Sequence, residues 1–533
     1  MKPKLFMASF TAKWIGAMCL CMAKASLVQA GSLWLPSVFS EGMVLQREMP
    51  VPVWGRAAPG ADVTVSMIAQ TGVHFQQGGK PLATATTTAC PKTGRWRVTL
   101  SAMPAGGRHT LLLVARGPTP VQEETLLFSD VWIGEVWIVC GQSNMIFPMS
   151  SCGEDDRGDA LAHLHEFPNI RFAEIGLRRA REVTEPIENP EGYWGPAKWE
   201  TATYAVPRSS TTDVPGSMSG IAYFFARSLS RWLGADIPVG ILVVGAILPV
   251  ESWVDDAVAA DVPELAHLRG KGYPHATGRA FNANIAPLAP FAIRGVVYGQ
   301  SSMNADRPAD YYHGLKAMVV SWRRAWNRAD LPFLLVQPPG FIKHLGRETA
   351  LDMDPAHLAM FNDQNAGHPF CLLREAQLRV SREVPHVGMI VTLDQGEKYE
   401  IHPPLQRVAG DRLGLLARTR AYGDSTLRGE SPRPRTIRRL DKRFQITFDG
   451  AESGLVAHGE LAGFEVRDAN GIWHPSQAAI DGDTVEAWSD AIPEPAGVRY
   501  AWAGYPPVTL FTKDGLPAAP FQYPPVELPV NGR

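Results

Sequence analysis

Between residues 129 and 424, five apolar runs alternate with stretches of helical periodicity, and this alternation limits the fold more than any other feature of the chain. The runs are VWIGEVWIVC, VGILVVGAIL, IRGVVYG, LPFLLVQ and VGMIVTL. Each reads as a buried strand. In SMSGIAYFFARSLSRWL, residues Ile221, Phe224, Phe225, Leu229 and Trp232 share one helical face; in YYHGLKAMVVSWRRAW, Leu315, Met318, Val319, Trp322 and Trp326 do. HPFCLLREAQLRV predicts a third helix, with Pro369 suited to its first turn. Strands alternating with helices predict an α/β domain around a mainly parallel sheet.

The flanks read differently. A chain of 533 residues exceeds what one core organises. In residues 31–128, VPVWGRAAPGADVTVSMI and GRWRVTLSAMPAGGRHTLLLVA alternate apolar with polar positions between Gly/Pro turns, which predicts a sandwich of short antiparallel strands. Residues 425–533 return to that pattern in RFQITFDG, FEVRDANGIWHP and VEAWSD, and RGESPRPR (428–435) reads as a linker. Residues 1–30 are basic, then apolar, then end on a small residue, as an export signal cut after Ala30 would. The expected organisation is therefore a leader over 1–30, a β domain over 31–128, an α/β domain over 129–424 and a second β domain over 425–533.

Loss of the leader removes four lysines and no acids, taking the formal charge from −2 to −6. Such a chain has no electrostatic reason to bind nucleic acid or an anionic membrane, and no membrane insertion is expected after cleavage. Cys90, Cys140, Cys152 and Cys371 remain, without the paired spacing of a metal site. Cys140 and Cys152 are compatible with a disulfide or with two buried thiols.

The tripeptide Gly-Gln-Ser occurs twice, at 141–143 (GQSNM) and 299–301 (GQSSMNA), each time just after an apolar run. Both copies thus fall at the carboxyl edge of the sheet, where open α/β folds bind ligands. Asn144 and Met145 would start a helix after Ser143. A serine at such a turn exposes its hydroxyl, and the turn's N–H groups face an incoming carbonyl oxygen. Met145 fills the place of the last glycine in a Gly-x-Ser-x-Gly elbow, so that motif is not met. A base is offered by EIHPPLQRVAGDRL (400–413), where His402 precedes two stiffening prolines and a helix expected from Pro404. Glu400, two residues earlier, is placed to orient the imidazole.

These stretches together resemble the sialate O-acetylesterase family, a branch of the SGNH/GDSL hydrolases. DVWIGEVWIVCGQSNM is similar to its nucleophile block, FNANIAPLAPFAIRGVVYGQ to its middle block, LPFLLVQ to the following strand, LLREAQL to its late helix and IHPP to its histidine block. SEGMVLQREMPVPVWGRAAPG resembles its N-terminal β segment, and VRYAWAGYP and GLPAAPFQ its C-terminal one. The resemblance implies a three-layer α/β/α SGNH domain flanked by β-sandwich-like domains, and an esterase acting on O-acetylated sugars without metal or organic cofactor. It implies Ser143 as nucleophile, His402 as general base and Glu400 in place of the usual Asp, with Asp394 as a competing orienter. Tyr399 stands where many SGNH enzymes carry their Asp. The Ser143 and Gly245 N–H groups and the Asn304 side chain would hold the oxyanion.

Two blocks depart from the family. Where it has Gly-Glu-Ser-Asn, this chain has YGQSSMNA; where it has Gly-Gly-Thr before Pro-x-Glu-x-Trp, this chain has VGAILPVESW. Reduced activity, or a non-catalytic carbohydrate-binding relative, is the alternative this opens. A second alternative keeps the esterase and changes the substrate to acetylxylan or another polysaccharide. A sialate carboxylate would want a cation, for which Arg307 and Lys343 are the loop candidates. Ser301 and Ser302 read as loop-lining residues, and His163 and His165 as helix or surface rather than metal ligands. Trp132, Trp137 and Trp322 read as core, Glu135 as structural, and Trp253 as a possible cleft residue.

Overall fold

The computed structural model describes residues 33–69, 81–117, 123–175, 183–184, 186–189, 194–196, 218–300, 302–342 and 368–528. The expected leader, Ser301 and Lys343 lie outside these residues. Seven strands form the central sheet: β7 (Glu123–Gly141), β8 (Ile170–Ile175), β9 (Trp194–Pro196), β10 (Val239–Gly245), β11 (Gly295–Gly299), β12 (Phe333–Val336) and β13 (Val387–Ile390). Their order is β13-β12-β11-β7-β10-β8-β9, parallel except for β9 at the edge. The chain first builds outward from β7 on the β10 side, then returns to build β11, β12 and β13 on the other. β7 is therefore the strand at which the winding reverses, and a crevice opens at its carboxyl end.

Side chains alternate across this sheet as the two-residue strand period requires. Trp137 and Val139 enter one apolar cluster with Phe224, Phe225, Leu413 and Leu416, from helices α2 (Gly220–Leu233) and α6 (Arg407–Ala421). Val136, Ile138 and Cys140 enter the opposite cluster with Leu315, Met318, Trp322 and Leu373, from α4 (Pro308–Trp326) and α5 (Pro369–Glu383). Among the described residues two shorter α-helices accompany them, α1 (Glu154–His163) and α3 (Asp256–Ala260). The domain is thus three-layered α/β/α. His368 caps α5 by accepting the Phe370 N–H, and Pro369 occupies its first turn. Trp232 departs from the expected apolar face of α2: it is half exposed, covered by Tyr422 and by the Arg418 guanidinium.

The flanking strands are β1 (Val44–Gln46), β2 (Val51–Arg56), β3 (Asp62–Ala69), β4 (Pro81–Thr88), β5 (Arg95–Leu100) and β6 (Gly106–Arg116). β3 pairs with β4 and β6, β2 with β5, and β6 runs antiparallel to the first part of β7. Residue 128 lies within the 19-residue β7, whose first part serves the N-terminal strands and whose second part serves the central sheet. Where these parts meet, buried Glu135 binds Arg47, Arg294 and Gln46, a structural role. At the other end of the chain, four-stranded antiparallel sheets form around Arg443–Asp449 and Phe464–Arg467. The end of the stretch read as a linker is strand: Arg433–Leu440 pairs along the sheet edge, with a register shift after Pro434, because an edge strand tolerates the missing N–H of proline. No helix among the described residues is long and apolar enough to cross a membrane.

Candidate active site

The turn after β7 is set by its final glycine. Gly141 has φ of +134°, and a Cβ there would strike the Gly299 carbonyl of β11. The chain is thereby drawn between β10 and β11, and Gln142 N–H donates to Gly299 O at 3.0 Å. Ser143–Met145 then makes a single 3₁₀ turn instead of starting a long helix, because Pro148 follows and cannot continue one. Met145 is buried as the anchor of this turn, while Ser143 stays half-buried at the crevice.

His402 arrives on the loop after β13. Its Nε2 lies 2.8 Å from Ser143 Oγ, and its Nδ1 2.9 Å from Glu400 Oε1. The same carboxylate oxygen accepts the His402 backbone N–H at 3.1 Å. With Nδ1 carrying the proton toward Glu400, Nε2 is left to accept from the serine hydroxyl. The Phe147 ring lies parallel to the imidazole, centroids 5.4 Å apart. The loop is clamped on both sides of the histidine: Asn144 Nδ2 donates to Ile401 O at 3.1 Å, and Gly153 N–H to Pro404 O at 2.9 Å. Asp156, 1% exposed, accepts the N–H groups of Gln406 and Arg407. It caps α6 from across the chain, which is why that helix starts at Arg407 and not at Pro404. Burial pushes the Asp156 carboxyl up from its ordinary range, against the pull of those two N–H groups.

Asp394 has a different partner. Its two oxygens take Arg412 Nη1 and Nη2 at 2.7 and 2.6 Å. Tyr399 is 40% exposed, with Lys398 over its ring. Glu400 is the carboxylate that touches His402.

The opposite wall comes from the loops after β10 and β11. Gly245 ends β10 level with Gly141, and Ala246 N–H donates to Gly141 O at 3.0 Å. Gln142, 2% exposed, holds both loops: Nε2 donates to Leu248 O at 3.1 Å and Oε1 accepts the Ser302 N–H at 3.2 Å. Asn304 is fully buried. Its Oδ1 accepts the Val250 N–H at 2.8 Å and the Gln300 side chain, and its Nδ2 donates to Glu251 at 2.8 Å. One amide hydrogen of Asn304 is therefore committed to bracing the loop.

Glu251 is likewise fully buried, 2.9 Å from Arg307 Nη2 and 3.4 Å from His275 Nδ1. Burial alone would raise its pKa; the His275 hydrogen bond, the Arg307 charge and the Asn304 amide outweigh it and hold the carboxyl below its ordinary value. Arg307 also binds Asp310 at 3.0 Å, so this guanidinium is already paired and does not offer a free charge to a substrate carboxylate. Trp253 corrects its expected place in the cleft. It is fully buried against Tyr298 and Trp322, because the turn Val250–Trp253 folds it inward.

The cysteines beside the site are free thiols. Cys140 donates to Val297 O, and burial pushes the Cys152 thiol up to about 12. His163 ends α1 with its Nδ1 against Asp159 O. Among the described residues no cluster of His, Cys, Asp and Glu suits a metal ion.

The site thus brings together Ser143, His402 and Glu400, as the sequence pattern anticipated, and adds two glutamines it did not single out. The signal was available: Gly-Gln precedes serine in both copies of the repeated tripeptide. In both, the buried glutamine ties neighbouring backbone or side chains, Gln142 to Leu248 and Ser302, and Gln300 to Asn304.

No protein-family model matches the chain. Sialate O-acetylesterases from Homo sapiens and Pongo abelii are each 24% identical over 518 residues, covering 91% of this chain and 91% of theirs. A carbohydrate acetylesterase from Xanthomonas citri, of known crystal structure, is 30% identical, superposes with a TM-score of 0.73, and is matched over 92% of this chain and 99% of its own. The chain therefore belongs to the sialate O-acetylesterase family of carbohydrate acetylesterases.

Proposed function

We propose that this chain hydrolyses O-acetyl esters on carbohydrates through an acetyl-enzyme formed on Ser143. One observation carries the reading: an unbroken hydrogen-bonded chain from Ser143 Oγ through His402 to Glu400, standing at the strand where the sheet reverses its winding. His402 Nε2 takes the serine proton as Oγ attacks the acetyl carbonyl carbon. The C=O π electrons move onto the carbonyl oxygen, and Glu400 stabilises the imidazolium that forms. When the tetrahedral adduct collapses, the bond to the sugar oxygen breaks and His402 returns the proton to that oxygen. Water then repeats the sequence on the acetyl-enzyme and releases acetate. In this reading the oxyanion rests on the Ser143 and Gly245 N–H groups and on the remaining amide hydrogen of Asn304.

An acetylated neutral polysaccharide is the substrate reading that the site favours over sialate, because Arg307, the described candidate for a sialate carboxylate, is already paired with Glu251 and Asp310. The leader expected over residues 1–30 would place the enzyme outside the cytoplasm, where such polymers are met.

The test is acetate release from a panel of acetylated xylan, acetylated sialic acid and 4-nitrophenyl acetate, comparing the native chain with Ser143→Ala. A loss of roughly ten-thousand-fold or more in the variant is expected. Equal rates in both chains would remove the esterase reading and leave carbohydrate binding without turnover. Release from sialic acid but not from xylan would overturn the substrate preference.

A further inference from the structure

A second cleft, of about 610 Å³, lies between the β2–β5 pair and two short segments, 186–188 and 286–290. That volume is in the range of small-ligand sites. The second segment leads into the amino end of β11, whereas Ser143 stands past the carboxyl end of β7. The cleft is therefore built by elements that take no part in the active site.

Its lining is aromatic and cationic. Trp34 and Trp54 form its apolar wall, with the buried Trp96 beneath Gly55 as its floor, and Arg95, Arg97 and Glu188 form its charged wall. The arrangement follows from strand register. Trp54 lies opposite Arg97 and Arg56 opposite Arg95, so these four side chains share the outer face of the pair. Gly55 between them admits no Cβ, because the Trp34 carbonyl, bonded through its own strand bridge to Arg56, occupies that space. Two arginines directly opposite each other destabilise a sheet unless something separates their charges. Glu188 does so, 2.7 Å from Arg56 and 3.5 Å from Arg95. Arg97 has no carboxylate partner among the described residues, and its side chain is exposed. The lining thus sets two guanidinium groups, Arg95 and Arg97, against one carboxylate, Glu188, which Arg56 already shares, beside a tryptophan wall.

We propose that this cleft is a non-catalytic binding site for a carboxylate-bearing saccharide. The apolar faces of a sugar ring pack on indole faces, and a planar carboxylate matches the guanidinium fork. A neutral sugar would leave the excess positive charge unanswered. The inference goes beyond the esterase reading: it places recognition of acidic glycans at this cleft, away from a crevice whose one described cationic candidate, Arg307, is neutralised by Glu251 and Asp310.

Calorimetric titration of the full chain tests it with unacetylated probes, so that binding is read independently of ester turnover. Three are compared: a xylo-oligosaccharide bearing glucuronic acid, the neutral xylo-oligosaccharide of equal length, and sialyl-lactose. At least one acidic probe is expected to bind about tenfold or more tightly than the neutral one, with an affinity that falls as salt rises. Which acidic probe binds distinguishes a uronate from a sialate source. Arg97→Glu, an exposed substitution on a strand surface, is expected to weaken that binding about tenfold or more while 4-nitrophenyl acetate hydrolysis stays at the native rate. Equal binding of acidic and neutral probes, native-like binding by both Arg97→Glu and Arg95→Glu, or no binding of any probe at millimolar concentration would each overturn the proposal.

Discussion

The two walls of the crevice are built in different ways. The histidine wall is local: Glu400 and His402 are two residues apart, and one carboxylate oxygen binds both the ring and the backbone N–H of the histidine. The opposite wall is assembled from segments far apart in sequence. Asn304 reaches Val250 and Glu251, and Arg307 reaches Glu251, all within a buried cluster. A local device needs only the right residues on one stiff loop. An assembled one needs the whole sheet to bring two loop ends together, and it stores charge where water cannot reach. The first is expected to fail in chemistry when altered, the second in folding as well.

The largest effect is expected on the histidine wall. Glu400→Gln keeps the shape but removes the charge that favours imidazolium, and kcat for acetyl ester hydrolysis is expected to fall by about a thousand- to ten-thousand-fold with KM little changed. Steady-state kinetics on 4-nitrophenyl acetate reads this directly; a change of only a few-fold would mean that Glu400 does not serve the imidazole.

On the assembled wall, Arg307→Met strands the buried Glu251 charge. Unfolding free energy is expected to drop by about 3–5 kcal/mol in chemical denaturation, because an uncompensated buried charge costs far more than its pair contributes. The pH response of this cluster has a definite sign. The Glu251 pKa is lowered on folding, so its contribution is fully present above the unfolded value near 4.5 and is lost as pH falls through the folded one. The native chain is therefore expected to lose stability below about pH 4.5, and Glu251→Gln to flatten that part of the profile.

Asn304→Ala sharpens the comparison, since this residue belongs to both proposed functions of the wall. About a hundred-fold loss in kcat is expected from the missing oxyanion donor, accompanied by a lower Tm from the unpaired Val250 N–H. A lower Tm with unchanged kcat would assign Asn304 to bracing alone.

The smallest rate effect is expected for Asp394→Asn. This carboxylate holds Arg412, so the substitution is expected to lower Tm while kcat stays within about twofold of native. A large loss of kcat would return Asp394 to the role assigned to Glu400.

Sequence by itself determined the parts whose physics is short-range. Buried strands must be apolar on both faces, so the five runs from VWIGEVWIVC to VGMIVTL announced the central sheet, and four of the five expected residues on α2 are in its core. The serine after a strand and the Glu-x-His pair were legible for the same reason: their geometry lies within a few residues of chain. Only the tertiary structure decided the rest. Whether Asp394 or Glu400 meets His402 depended on where Arg412 of α6 falls, in hydrogen-bond contact with Asp394 though eighteen residues away in sequence. Trp253 looked open to the crevice because its neighbours are loop residues, yet the turn that carries it folds under β11 and α4. PRPR looked like a linker, yet Pro434 within it is tolerated at the edge of a strand. Gln142, Asn304, Glu251 and Arg307 carry no periodicity and no fixed spacing, because the contacts that define them run between loops after different strands. Only when β10 and β11 close on either side of β7 do those side chains acquire partners, and with them their roles.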